Sequence, residues 1–263
     1  MSVITLPFTL SAPSPRLRIV RDWATVLPAQ SWLHSWHSMR TEFAMLDGNG
    51  RVSELRDRSG KGRHFVQTVP ALRPLLQADA INGHAAAVFS NHGLTYSGPF
   101  PTAAYTKAVV VYVPANTSTA GPTLIGHTTT TYINHRIYLE PQLGRARHQV
   151  QNGAAAKANP LTGGFTLGTW HLVLATFDGA TGTVKIKVDD NPAVTATDAD
   201  LKTVQDLTFF LGYGNAPNGV PSGPLDGMVA DVLIANVDVT KAGNEAAYGL
   251  IRDFASGVYG IAA

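Results

Sequence analysis

Short apolar runs separated by turn residues, with scarcely any helical periodicity, are the feature that most constrains this chain. From Glu42 onward there are roughly ten such runs, a spacing typical of a β-sandwich or barrel. The clearest pair is a hairpin, in which Trp170–Phe177 and Thr183–Val188 flank a turn at Asp178–Gly182. The other predicted strands are Ala85–Phe89, Ala108–Pro114, Pro122–Gly126, Tyr132–Leu139, Arg145–Val150, Leu207–Gly212 and Met228–Val237. The sequence therefore predicts an all-β fold.

The two ends of the chain depart from this pattern. Residues 43–263 form the predicted sandwich domain, and within it Gly243–Ala255 has the apolar spacing of a short amphipathic helix. Residues 1–42 contain four prolines and three of the four tryptophans, which predicts a separate N-terminal arm with a short helix over Ala29–Met39. Trp23, Trp32 and Trp36 either pack on the sandwich or dock the arm onto another subunit.

Composition excludes several functional classes. The net charge of +2 is too small to indicate nucleic-acid binding, and the absence of cysteine rules out disulfides and cysteine-ligated zinc. No apolar run is long enough to span a membrane. Pro7, Pro13 and Pro15 interrupt the N-terminus, so no secretory signal is predicted. We expect a protein made in the cytoplasm without membrane insertion.

Four segments resemble laminin-G-like domains of the concanavalin A-like lectin/glucanase superfamily. They are GRVSELRDRSGKGRHFVQ at 50–67, INGHAAAVFS at Ile81–Ser90, GTWHLVLATFDGATGTVKIKVDDNPA at Gly168–Ala193 and LDGMVADVLIAN at Leu225–Asn236. The resemblance covers the chain from about Glu42 to the end and implies an antiparallel jelly-roll β-sandwich. Its motifs are structural, so they specify a fold better than a function.

The hairpin motif also predicts how one strand is packed. Val173, Ala175 and Phe177 would share one face of a strand that is covered on both sides, and Trp170 would be a core anchor. His171 is predicted to be a hydrogen-bonded strand residue and not a ligand.

Catalytic motifs are weak. Glycoside hydrolases need two carboxylates about 5–9.5 Å apart. The four glutamates, Glu42, Glu54, Glu140 and Glu245, have no second acidic residue two positions away. Asp198 and Asp200 have that spacing but lie in a predicted loop. The chain is therefore predicted not to be an enzyme, and a glycoside hydrolase is the alternative.

Candidate binding residues lie in polar loops on the predicted scaffold. Aromatic and amide side chains suit carbohydrate, and on this ground the candidates are Tyr132, His135, Tyr213, Asn215 and Asn218. No cofactor is predicted from the residues themselves. The resemblance implies Ca²⁺ at the sandwich rim as an alternative, with Asp178, Asp189 and Asp226 as ligands.

The biological setting is inferred from several features together. The missing export signal, the absence of cysteine, the aromatic arm and the lectin-like motifs agree with a bacteriophage virion surface component, such as a tail fibre, baseplate or decoration protein. Its expected partners are other virion proteins, further copies of itself in a homo-oligomer such as a trimer, and a host surface glycan. The alternative is a glycan-binding protein or glycoside hydrolase of the same superfamily.

Overall fold

The computed structural model describes residues 21–96, 98–117, 121–128, 133–153, 156–204, 208, 210–213 and 223–263. Within these ranges the chain forms two packed antiparallel sheets, as the sequence predicts. The strands in chain order are β1 (Leu33–Ser38), β2 (Ala44–Leu46), β3 (Val52–Leu55), β4 (Phe65–Val66), β5 (Leu75–Ile81), β6 (His84–Ser90), β7 (Leu94–Tyr96), β8 (Ala104–Tyr112), β9 (Thr123–Thr128), β10 (Ile133–Glu140), β11 (Arg145–Asn152), β12 (Ala156–Ala158), β13 (Leu161–Thr162), β14 (Trp170–Asp178), β15 (Thr183–Val188), β16 (Val194–Thr197), β17 (Phe210–Leu211) and β18 (Asp226–Ala235). Helices are α1 (Trp23–Val26) and α2 (Glu245–Phe254), with a π-turn at Ala255–Tyr259.

The strands divide into two sheets. Sheet A has the order β16-β15-β14-β8-β18-β6-β5, with β1 added alongside β18. Sheet B has the order β12-β11-β10-β9-β17-β7-β4-β3-β2, with β13 paired to β11. Neighbours in space are often distant in the chain, which is typical of jelly-roll connections.

The main core lies between the sheets, and strand alternation decides which side chains enter it. In β14, Val173, Ala175 and Phe177 join this core, whereas Leu172 and Leu174 point to the other side of sheet A. This confirms the prediction of a strand that is covered on both faces.

A second apolar layer covers the outer face of sheet A. The predicted C-terminal helix is α2, and it buries Ala247, Ile251 and Phe254 against this face. Trp170 points to the same side as Leu172 and packs its ring on Tyr112 at a centroid distance of 5.4 Å. The predicted core anchor Trp170 therefore packs in the outer apolar layer and not between the sheets, because its even position in β14 directs it there, and it is only partly buried.

The N-terminal region belongs to the sandwich from at least residue 33. The predicted helix over Ala29–Met39 is wrong: β1 occupies this stretch and pairs with β18, with Trp36 opposite Leu233. Burial on both faces of a strand removes the alternation that would have revealed it. A sandwich boundary at residue 43 therefore cuts through sheet A.

The three N-terminal tryptophans pack on their own chain. Trp36 is 1% exposed, and its indole Nε1 donates to Asp231 at 2.6 Å. Trp23 meets Phe254 edge to face at 5.6 Å, and Trp32 is partly buried in the same layer. The three tryptophans therefore pack on the sandwich of their own chain, which is the first of the two alternatives given by the sequence. Residues 1–20 lie outside the described residues.

Membrane insertion through a helix has no candidate here. None of the helices in the described ranges is long and apolar enough to cross a bilayer.

Candidate functional site

The face of sheet B that points away from the main core carries a row of polar and aromatic residues, each of them half-buried. Phe210 pairs with Gly126, Gly126 with Arg136, and Arg136 with Gln149. Directly opposed residues in antiparallel strands point to the same side. The next residues along, such as Ile125 and Ile137, are fully buried in the core. We call the row Phe210, Arg136, Gln149 and Tyr138 the outer row of sheet B.

Arg136 occupies the centre of the outer row and is held in place by its neighbours. Its Nε donates to Gln149 Oε1 at 3.0 Å, and one terminal nitrogen donates to Thr123 Oγ1 at 3.4 Å. The guanidinium carbon lies 5.2 Å from the ring centroid of Tyr138. Burial lowers the pKa of Arg136 from its ordinary value. No described carboxylate forms an ion pair with it.

Gly126 allows this arrangement because it has no side chain. Its φ is +146°, and a Cβ there would lie 2.4 Å from Arg136 Cα and 2.5 Å from the carbonyl oxygen of His135. Those are backbone atoms of the neighbouring strand, so they cannot move aside without separating β9 from β10. Glycine therefore keeps the strands close and leaves no side chain between Phe210 and Arg136.

Two aromatic rings lie together at the β17 end of the row, and one of them covers a glycine. The rings of Phe210 and Tyr213 are 5.0 Å apart. Tyr213, a predicted ligand residue, is only 7% exposed, because its ring covers Gly93, where a Cβ would fall 1.7 Å from ring atoms. Tyr213 therefore supports Phe210 from beneath, and Phe210 is the more exposed of the two rings.

At the far edge of the face, two arginines share one carboxylate. Glu140 accepts from Arg145 at 2.6 Å and from Arg147 at 2.7 Å. All three side chains lie on the same side of sheet B as Arg136, since they alternate with buried residues in β10 and β11. Unlike Arg145 and Arg147, Arg136 has no acidic partner in the described part of the chain.

His135, another predicted ligand residue, lies inside the sandwich. It is 0% exposed, stacks on Phe100 at 5.1 Å, and its carbonyl accepts from the buried Lys107 ammonium of sheet A. The prediction of a surface role is corrected, because odd-numbered positions of β10 point inward. The remaining predicted ligand residues, Tyr132, Asn215 and Asn218, lie outside the described residues.

The three aspartates predicted as calcium ligands are separated. Asp178 pairs with Lys241 at 2.8 Å, at one end of β14. Asp189 lies beside Leu172, six residues away along β14, which is about 20 Å. Asp226 contacts Thr117 at 3.3 Å. In the described ranges, no three acidic or histidine side chains form a group that could hold a metal ion. The three aspartates therefore do not form one group in the described ranges, since each faces a different partner.

The hydrogen bonds of Asp189 also explain His171. Its carboxylate accepts from His171 Nδ1 at 2.6 Å and from the Leu172 amide at 2.8 Å. Burial disfavours the charged imidazole, but the bond to Asp189 outweighs it and raises the pKa of His171. His171 is thus the hydrogen-bonded strand residue that the sequence predicts.

A separate cavity of about 310 Å³ lies between α2 and the end of β15. Three of its four charged groups have partners within the chain: Lys241 bonds Asp178, Lys187 donates to the Asp189 carbonyl, and Glu245 accepts from the Gly243 amide. The fourth, Asp190, is exposed. Tyr248 lines one wall.

The residues of the outer row were not candidates on sequence grounds. The available signal was the alternation of Arg136, Tyr138 and Glu140 with the apolar Ile137 and Leu139, which predicts one polar face on β10. That pattern is typical of any solvated strand. Only the register between β17, β9, β10 and β11 brings Phe210 and Gln149 into line with it.

Several known structures share this fold. The binding domain of botulinum neurotoxin DC in complex with SialylT aligns over 86% of this chain, with a TM-score of 0.54 and 11% identity. This chain matches 52% of that domain. A Trypanosoma rangeli sialidase in complex with 2,3-difluorosialic acid aligns over 79% of this chain and 31% of its own length, with a TM-score of 0.50 and 13% identity.

A smaller domain aligns less well. The CBM40 of Ruminococcus gnavus IT-sialidase, bound to α2,3-sialyllactose, covers 55% of this chain and 80% of its own, with a TM-score of 0.46 and 16% identity. At these identities the structural similarities show the fold alone.

Sequence comparison gives the family. No curated protein matches the chain. A laminin-G-type family model does match, over residues 84–242, which is more than half of the 263 residues and includes the whole outer row of sheet B. The order and pairing of the two sheets agree with that match. The chain belongs to the concanavalin A-like lectin/glucanases superfamily.

Proposed function

We propose that this protein is a non-catalytic carbohydrate-binding module and that the outer row of sheet B is its binding surface. The observation that supports this most directly is the alignment of Phe210, Arg136 and Gln149 on the outer face of sheet B, where each side chain is half-buried. These side chains project from paired strands, so their relative positions are fixed before any ligand arrives.

The chemistry of the row suits a sugar. An aromatic ring offers an apolar surface for the C–H side of a pyranose, and Phe210 presents such a ring. Gln149 and Arg136 offer amide and guanidinium groups for hydroxyl and other oxygen atoms. Two strand spacings separate Phe210 from Arg136, about 10 Å, which leaves room for more than one sugar ring.

The placement of carboxylates supports a binding role over hydrolysis. Within the described strands of sheet B the acidic residues are Glu54 in β3 and Glu140 in β10. Five strand spacings separate those strands, roughly 24 Å. Glycoside hydrolysis uses carboxyl groups about 5–9.5 Å apart, so these two cannot cooperate.

Other proteins of this fold provide context. The botulinum neurotoxin DC binding domain is described in complex with SialylT, and the Trypanosoma rangeli sialidase with difluorosialic acid. These examples support a sugar as the class of ligand for this fold. A hydrolase stays the alternative that the test must exclude.

The phage-particle setting and the homo-oligomer stay predictions from the sequence. Neither is needed for sugar binding by the outer row. Light scattering on the purified protein would test self-association, and co-purification with capsid or tail proteins would test the setting.

The proposal is tested by glycan-array binding of the wild-type protein and of Phe210→Ala. We expect the wild type to bind a defined group of glycans. Phe210→Ala should lose about 10-fold or more in affinity, since it removes the large apolar ring face on which a sugar would pack. Thermal melting confirms that both proteins are folded. A reducing-sugar assay on the bound glycans should detect no release.

Tyr248→Ala is the matched control, because Tyr248 is a partly buried aromatic residue that lines the cavity beside α2 and lies outside the outer row of sheet B. It should bind like the wild type. Loss of binding in Tyr248→Ala with normal binding in Phe210→Ala would contradict the proposed surface. Sugar release by the wild type would contradict the non-catalytic role.

A further inference from the structure

We infer that the sugar recognised by the outer row of sheet B carries a carboxylate, and that Arg136 receives it. This inference rests on the proposed function and names the ligand class for the same site. It depends on three properties of Arg136: its uncommitted donors, its missing counter-charge and its fixed orientation.

Arg136 retains hydrogen-bond donors that its own chain does not use. Two of its N–H groups donate to Gln149 and Thr123. A guanidinium has more donors than these, arranged in a planar fork. Since Nε and one terminal nitrogen face the protein partners, the outer part of the fork is left for a ligand.

Among the described residues, no carboxylate pairs with the guanidinium of Arg136. A partly buried cation loses hydration that only an anion or strong acceptors can replace. Arg145 and Arg147, which share the same face, both meet this need through Glu140. The partners of Arg136 are an amide oxygen, a hydroxyl and an aromatic ring, all of them neutral.

The orientation of the fork favours a carboxylate among anions. The bonds to Gln149 and Thr123 and the contact with Tyr138 hold the guanidinium plane before binding, which reduces the entropy lost on complex formation. A planar fork matches the two oxygens of a carboxylate with parallel hydrogen bonds. A sugar ring on Phe210 would place an acidic group of the same or the next residue within reach of Arg136.

The test compares matched acidic and neutral ligands by isothermal titration calorimetry. The pairs are sialyllactose with lactose, and a glucuronic-acid-terminated oligosaccharide with its glucose-terminated counterpart. The proteins are the wild type, Arg136→Gln, Arg136→Lys and Arg145→Gln. A sulfated oligosaccharide of the same length serves as a second anionic probe.

We expect the wild type to bind at least one acidic ligand about 10-fold or more tightly than its neutral partner, as a charge-assisted bidentate contact would give. Arg136→Gln should remove that preference, because it should weaken the acidic ligand about 10-fold more than the neutral one. Arg136→Lys should restore part of it, because lysine keeps the charge and lacks the fork. Arg145→Gln should behave like the wild type, since Arg145 is matched by Glu140.

The outcomes separate this inference from the proposed function. Equal binding of acidic and neutral sugars by the wild type would overturn the carboxylate and leave the binding module intact. Equal losses for both ligands in Arg136→Gln would show that the arginine only supports the sheet. Tighter binding of the sulfated ligand would overturn the choice of carboxylate. Failure of every glycan to bind the wild type would overturn the proposed function itself.

Discussion

At the scale of single residues, direction within a strand decides what a side chain does. Trp36 and Trp170 are both in strands of sheet A, but only Trp36 is fully enclosed, with its indole nitrogen bonded to the buried Asp231. Trp170 lies at the start of β14 and packs on Tyr112 at the margin of the outer layer. Residue type alone makes the two tryptophans equivalent, and their surroundings make them different.

Because of this difference, we expect substitution of the two tryptophans by alanine to lower the free energy of unfolding by unequal amounts. Trp36→Ala should reduce the free energy of unfolding by about 3–5 kcal/mol, because it empties a closed site and removes one of the donors to the buried Asp231 carboxylate. Trp170→Ala should cost about 1 kcal/mol, as for a typical partly exposed substitution. Denaturant unfolding monitored by circular dichroism measures both. Equal losses, or a larger loss for Trp170→Ala, would contradict the packing described above.

At the scale of secondary-structure elements, β1 is the strand whose role differs most from expectation. It lies beside the second half of β18, where it satisfies that strand's backbone and buries its own six residues. β6 pairs with the first half of the same strand edge. The edge of β18 is therefore shared between two strands from different parts of the chain, and removing β1 would expose part of a central strand to water.

Deletion of residues 1–42 should therefore prevent stable folding. The truncated protein would lose β1 together with Trp36 and would expose unpaired backbone groups of β18, which favours aggregation. A truncation that begins at residue 21 keeps every contact described here and is the matched control. Soluble expression and cooperative thermal melting are the measurements. A cooperative transition near that of the control in the shorter protein would show that β1 is dispensable.

At the scale of the whole molecule, Asp231 connects the two ends of the chain to the central strand β18. One carboxylate oxygen accepts from Trp36 in β1, and the other from the Tyr259 hydroxyl near the C-terminus. Burial raises the pKa of Asp231 from 3.8 to about 6, although these hydrogen bonds oppose the rise. The molecule thus places an ionisable group where the N-terminal strand β1, the central strand β18 and the C-terminal segment meet.

The stability of the whole fold should depend on pH through this group. Since the pKa of Asp231 is higher in the folded state, the unfolded state ionises first, and stability falls as pH rises from about 4 to about 6. Asp231→Asn should remove that part of the loss, which amounts to a few kcal/mol at about 1.4 kcal/mol per pKa unit. Urea unfolding across this pH range measures it. The exposed Asp190→Asn serves as the control and should follow the wild type. The inferred role of Asp231 fails if Asp231→Asn keeps the wild-type slope.

The sequence by itself determined the longer strands after β5 and the C-terminal helix, because side-chain period is a local property. Alternation of Val173, Ala175 and Phe177 sets one face of β14, and the spacing over Gly243–Ala255 gives the C-terminal helix, both confirmed by the structure. The same local information did not show which face meets which layer, so Trp170 was predicted to lie in the core and His135 at the surface.

Only the tertiary structure decided the partners. β1 joins β18 across a separation of 195 residues between Trp36 and Asp231, and no local pattern specifies such a pairing. The outer row of sheet B likewise depends on the register of strands that are neighbours in space and not in sequence. Phe210, Gly126, Arg136 and Gln149 become one surface because backbone hydrogen bonds align them, and each residue alone is ordinary for a solvated strand.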